Sequence, residues 1–94
     1  MLVRGLGPSL GQAGIGNALP NPALELHDGN GAHLRGNDNW RDTQEAEIRN
    51  SGVAPANELE SAIVQTLAPG AYTAVMAGKD NGTGVGLIEV FNLN

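Results

Sequence analysis

Apolar and polar residues alternate along much of the chain with the period of two that marks a strand covered on one face. Over 22–28, Leu24 and Leu26 fall on one side and Glu25 and His27 on the other, and 32–36 alternates in the same way. Gly29-Asn30-Gly31 stands between these runs. A loop of three residues sets Leu26 opposite Leu34, Glu25 opposite Arg35 and His27 opposite His33, like facing like. An even loop would set Leu26 against His33 and Leu24 against Arg35. The pattern therefore predicts a three-residue hairpin with Gly31 in the left-handed conformation such loops require. Leu2, Val3 and Arg4 predict a short first strand, ended by Gly5-Leu6-Gly7-Pro8. The β-branched Ile63, Val64 and Thr66 predict another over 60–67, closed by Pro69-Gly70. Runs 71–77 and 85–93 predict a long antiparallel hairpin, with Asn81-Gly82 supplying positive φ angles at its turn. In the last strand Leu87, Phe91 and Leu93 point one way and Ile88 and Val90 the other. Such a strand either lies centrally, covered on both faces, or turns one face to another subunit.

Two segments depart from the alternation. Residues 5–22 are rich in Gly, Pro and Asn with Leu10, Ile15 and Leu19 dotted between, which predicts a long ordered loop held down by a few side chains. Residues 42–50 form the one helical candidate. Asp42 is placed to cap it with Glu45 completing a capping box, Arg41, Glu45 and Arg49 are spaced i, i+4, and Gly52 stands ready to end it. The expected fold is all-β, or mostly β: a single module over 1–94, an antiparallel β-sandwich of jelly-roll-like layout with one short helix near 42–50.

Composition narrows the picture. A 94-residue chain has room for one modest core, and with aromatics at 3% that core is built from aliphatic side chains around Trp40, Tyr72 and Phe91. A net charge of -5, with its 5 basic residues scattered, gives no stripe to neutralise phosphates, so neither nucleic acid nor membrane insertion is expected. The lack of cysteine removes disulfides and thiolate chemistry together. No segment reads as a signal peptide, so export would depend on a signal outside this chain.

Candidate chemistry is sparse. Gly7-Pro8-Ser9-Leu10-Gly11 matches the G-x-S-x-G elbow of α/β-hydrolases, but that motif works atop a parallel sheet, which this sequence does not predict. Gly5-x-Gly7 lacks the third glycine and the βαβ setting of a dinucleotide loop. His27, His33 and Glu25 share one face of the predicted hairpin and form a candidate transition-metal set, with Arg35 beside them opposing a cation. Asp28 and Asn30, with Asn37 and Asp38, offer oxygens at two neighbouring loops. Calcium is the ion such oxygens would take, although Asx residues serve turns equally well and no cofactor is expected. Trp40, if exposed, could stack on a sugar, and the same loops would complete a polysaccharide site. If buried, it caps the core. Asn81-Gly82-Thr83 fits an N-glycosylation pattern and equally the chemistry of a turn.

Five stretches, 3–10 (VRGLGPSL), 20–31 (PNPALELHDGNG), 37–48 (NDNWRDTQEAEI), 60–78 (ESAIVQTLAPGAYTAVMAG) and 81–93 (NGTGVGLIEVFNL), together resemble a module that recurs in large secreted proteins of environmental bacteria. The later half is similar in layout to the bacterial pre-peptidase C-terminal domain, a β-sandwich accessory unit of exported enzymes. The resemblance implies a secreted or cell-surface location and a non-catalytic accessory role. Members of the recurring module carry further strand-forming sequence before the VRGLGPSL stretch, where this chain has Met1. The expectation is that a sandwich lacking those strands completes itself with copies of itself through Leu87, Ile88, Val90, Phe91 and Leu93.

Overall fold

A computed structural model describes residues 1–92. The chain forms β1 (Leu2–Leu6), a four-residue helix α1 (Ser9–Gln12), β2 (Pro22–Asp28), β3 (His33–Asn37), a 3-10 turn (Trp40–Asp42), α2 (Glu45–Asn50), β4 (Ser61–Val64), β5 (Tyr72–Gly78), a second 3-10 turn (Lys79–Asn81) and β6 (Leu87–Phe91). The strands make two antiparallel three-stranded sheets, ordered β4-β1-β6 and β3-β2-β5. The expectation of a mostly-β chain with few short helices is met.

Burial follows from strand position. The central strand β1 buries side chains on both faces, because each face has its own cover. Leu2 and Ala62 pack with Trp40 and Ile48, which places the 3-10 turn and α2 over one face of the first sheet. From its other face Val3 and Ile63 join Leu24 and Leu26 of the second sheet in a separate cluster, with Ala74, Met76 and Ile88 beside them. The alternation read in 22–28 is the reason: Leu24 and Leu26 turn to that cluster and Glu25 to solvent. Leu19 from the long loop is buried as well.

Four expectations require correction. The hairpin of 71–77 with 85–93 does not form. All seven residues of β5 pair with β2, and β6 pairs with β1 in the other sheet. The connection turns at Asp80 and Asn81 (φ 55° and 62°) instead of at Asn81-Gly82. Its far end is then captured by the long loop, where Leu19 N donates to Val85 O (2.7 Å) and Val85 N to Asn17 O (2.8 Å). Gly84, at φ +148°, lets the two backbones meet there, since a Cβ would stand 2.7 Å from Asn17 O. This capture carries the chain across to the first sheet. As a result β6 is an edge strand and not a central one. Leu93 lies outside the described residues.

The second correction concerns register. Asp28 and Ala32 bond around Gly29-Asn30-Gly31, Gly31 has φ 83°, and His27 pairs with His33, all as read. A bulge then follows, so that Leu26 faces Arg35, Glu25 faces Gly36 and Leu24 faces Asn37. Leu34 is the extra residue, left exposed, and Arg35 moves to the opposite face from Glu25. Third, α2 begins at Glu45 with Gln44 in the capping position and no side-chain cap, while Asp42 belongs to the 3-10 turn. Glu45 accepts from Arg49 (2.6 Å) and pairs with Arg41 (3.6 Å), so the i, i+4 pattern holds without the capping box. Fourth, the long loop contains α1, a single helical turn.

Candidate functional site

The oxygen-rich residues serve the fold. Asp28 Oδ1 accepts from the backbone N–H groups of Asn30 and Ala32 (2.9 Å each), which is an Asx turn closing the hairpin. Asn37 is buried: its Oδ1 accepts from Ala62 N (2.9 Å), and its Nδ2 donates to Asn39 O and Thr43 Oγ1 (3.0 Å each). Asp38 pairs with Lys79 (2.5 Å), and the Asn21 amide, oriented with its nitrogen toward the carboxylate as its neighbours require, donates to it (2.7 Å). Asp28 and Asn30 precede β3 while Asn37 is its last residue and Asp38 follows it, so the two groups stand at opposite ends of a strand and do not form one cluster. Trp40 is 4% exposed, with Arg41 and Arg49 guanidinium groups 5.2 and 5.5 Å from its ring centre, so it caps the core and presents no open stacking face.

Ser9 opens α1, and its hydroxyl donates to Glu60 Oε1 (2.6 Å). Glu60 is fully buried, and its carboxylate also accepts from the N–H groups of Gly7, Ser9 and Asn57 (2.9, 2.9 and 3.2 Å). Its backbone carbonyl accepts from Trp40 N (2.9 Å). Sequence reasoning missed this hub. A carboxylate abutting an apolar β-branched run was the available signal, since such a group is buried only with donors around it.

The informative contrast lies along the sheet edges. The outer edge of β4 is occupied by side chains: Gln44 takes Val64 N with Oε1 (3.0 Å) and gives Nε2 to Val64 O (2.9 Å), as a neighbouring strand would, while Asn37 takes Ala62 N. Arg35 adds a link to Gln65 from β3 (3.0 Å). The β3 and β4 sides of the two sheets are thus tied together. On the other side β5 and β6 are the outermost strands of their sheets, each with one edge not paired to another strand of its sheet.

Between those open edges lies a cavity of about 250 Å³ lined by Val3, Leu26, Leu67, Tyr72, Ala74 and Val90. Tyr72 turns its hydroxyl to Ala68 O (2.5 Å), which leaves its ring to the cavity wall. Val90 shares the face of Val3 yet is 58% exposed, and Leu87 on the opposite face is 44% exposed. The apolar face of β6 therefore runs beyond its cover. The strand is nonetheless held in place, because Arg4 reaches across from β1 to Glu89 (2.6 and 2.9 Å), to Val53 O (3.1 Å) and over the Phe91 ring (5.0 Å). Glu89, the one charge on β6, is neutralised by that contact.

His27 and His33 meet edge to face, their ring centres 5.5 Å apart, and His27 Nε2 lies 3.2 Å from Glu25 Oε2. Of the predicted site residues these three are brought onto one face. Arg35 is not with them. Comparison with protein-family models, with the curated proteins and with the solved structures gave no match.

Proposed function

We propose that this chain is a non-catalytic interaction module, a β-sandwich of an exported protein, that joins a second copy of itself along the open β5/β6 side. The observation that carries the reading is the unequal treatment of the edges: β4 is sealed by Gln44 and Asn37, while β6 leaves Val90 exposed at an apolar mouth and Leu87 exposed on its other face. An uncovered strand edge with apolar side chains is a template for another strand. Antiparallel pairing of β6 with its two-fold mate would present the same surface from each copy. It would extend the sheet so that Val90 of each copy falls on one face and Leu87 of each copy on the other, with no unpaired charge to desolvate, since Glu89 is held by Arg4. Export follows the resemblance carried by the five sequence stretches.

The test compares the wild type with Val90→Lys by analytical ultracentrifugation over a concentration series. A lysine pointing inward on an edge blocks pairing while remaining compatible with a folded strand. The wild type should approach twice the 9.7 kDa of one chain, and the variant should stay folded and monomeric. A wild type that remains monomeric throughout would end the proposal, and a variant that dimerises unchanged would place the contact elsewhere.

A further inference from the structure

The hydrogen bonds that seal β4 also fix which backbone groups of β6 face its outer edge. Gln44 takes both backbone groups of Val64, and Asn37 takes the N–H of Ala62, so these two residues turn their polar groups away from β1. Opposed residues of an antiparallel ladder alternate between bonded and unbonded pairs. Gln65 N donates to Met1 O (3.0 Å), which gives the same phase: the bonded pairs are Val3 with Ile63 and Gly5 with Ser61. Val3 and Gly5 thus spend their groups on β4, and Leu2, Arg4 and Leu6 turn theirs to β6. There they meet Phe91, Glu89 and Leu87. The N–H and C=O groups of Ile88 and Val90 therefore point outward from the edge.

This phase limits how a second copy can pair, an inference that rests on the dimer proposed above. Outward groups must meet outward groups, so a two-fold axis has to pass a residue that faces its own counterpart, not the gap between two residues. An axis at Ile88 would set Val90 opposite Gly86, which has no side chain to cover it, and Glu89 opposite Leu87. With the axis at Val90, only 89–91 of one β6 would face 89–91 of the other, and Ile88 would fall opposite Asn92, beyond the strand. An axis at Glu89 pairs all five residues of β6. Leu87 then lies opposite Phe91 of the second copy on one face, and Ile88 opposite its Val90 on the other, apolar against apolar on both. The exposed Leu87 and Val90 are both covered. The opposing contact is Glu89 against Glu89, since like charges directly across a strand pair repel. Each carboxylate is already held by Arg4 at 2.6 and 2.9 Å, so the charges arrive as paired units.

We propose that the second copy docks with Glu89 on the two-fold axis, Ile88 exchanging backbone hydrogen bonds with Val90 of the other copy. The chain has no cysteine, so single introduced cysteines read the register directly. Directly opposed residues have Cα atoms about 4.5–5.5 Å apart, within reach of a disulfide. Residues displaced by two along the pair are about 8 Å apart, beyond that reach. The test oxidises Glu89→Cys, Ile88→Cys and Val90→Cys, each alone and the last two mixed, beside ultracentrifugation of the wild type. Glu89→Cys should couple to itself, and the mixture of Ile88→Cys with Val90→Cys should couple several-fold faster than either alone. Ile88 is partly buried and Val90 exposed, so both variants should fold. They keep Glu89 and its contact with Arg4, so the mixture decides the matter even if Glu89→Cys fails to fold. A dimeric wild type in which Ile88→Cys or Val90→Cys couples best to itself, or in which nothing couples, would overturn this register and leave the dimer standing. A wild type that is monomeric throughout would remove both.

Discussion

Glu60 shows how a single buried residue can organise an irregular segment. Its two carboxylate oxygens collect four donors, from Gly7, Ser9 twice and Asn57, and so fix the turn after β1 against the approach to β4. Glu60→Gln keeps the shape but presents an NH2 to donors at one oxygen or the other. With the NH2 in the place of Oε1 the Ser9 hydroxyl turns to accept from it, so the part-buried Asn57 N–H is the donor left without its acceptor, at a cost of about 1–3 kcal/mol. Urea unfolding should record that loss, and a change under about 0.5 kcal/mol, the scale of an ordinary surface substitution, would show that the hub does not hold the loop. Ser9 belongs to this hub. Of the glycines in its G-x-S-x-G string the fold requires the first, since a Cβ on Gly7 would stand 2.1 Å from Leu19 O, whereas one on Gly11 would meet open space.

Between elements, the pair of Lys79 and Asp38 joins the turn after β5 to the end of β3. The hydrogen bond to Asp38, and then its charge, raise the Lys79 pKa above the ordinary 10.5, against a small opposing effect of burial. A raised folded pKa means that the folded chain holds this proton more tightly than the unfolded one. The stabilisation is therefore fully present below 10.5 and fades as pH climbs through the higher folded value. Lys79→Met should lower the urea midpoint slightly at neutral pH, and the gap from wild type should close well above pH 10.5. A gap of equal size at both pH values would contradict this origin. The element scale is also where the sequence was most and least legible. Alternation placed Leu24 and Leu26 correctly, and Gly31 fixed the turn, because both are local. Periodicity predicts strands in 71–77 and 85–93, within which most of β5 and all of β6 fall, but carries nothing about partners. These were decided by Val85 meeting the backbone of Asn17 and Leu19, far away in sequence. A bulge leaves no mark in a binary pattern, so the cross-strand histidines were readable and the departure of Arg35 was not. Gln44 looked like part of a helix start because its role as a substitute strand for Val64 exists only once β4 is beside it.

On the scale of the whole molecule, two sheets are tied along one side by Asn37, Gln44 and Arg35 and left open along the other around an apolar cavity. The central claim is that this open side is where a second copy pairs. Residue-resolved amide hydrogen exchange across a concentration series tests it most directly. Outward-facing amides of β6 should exchange more slowly as concentration rises, while Ala62 and Val64, already bonded by Asn37 and Gln44, should exchange at the same rate throughout. Exchange in β6 that is indifferent to concentration, or protection that grows along β3 and β4 instead, would contradict the account.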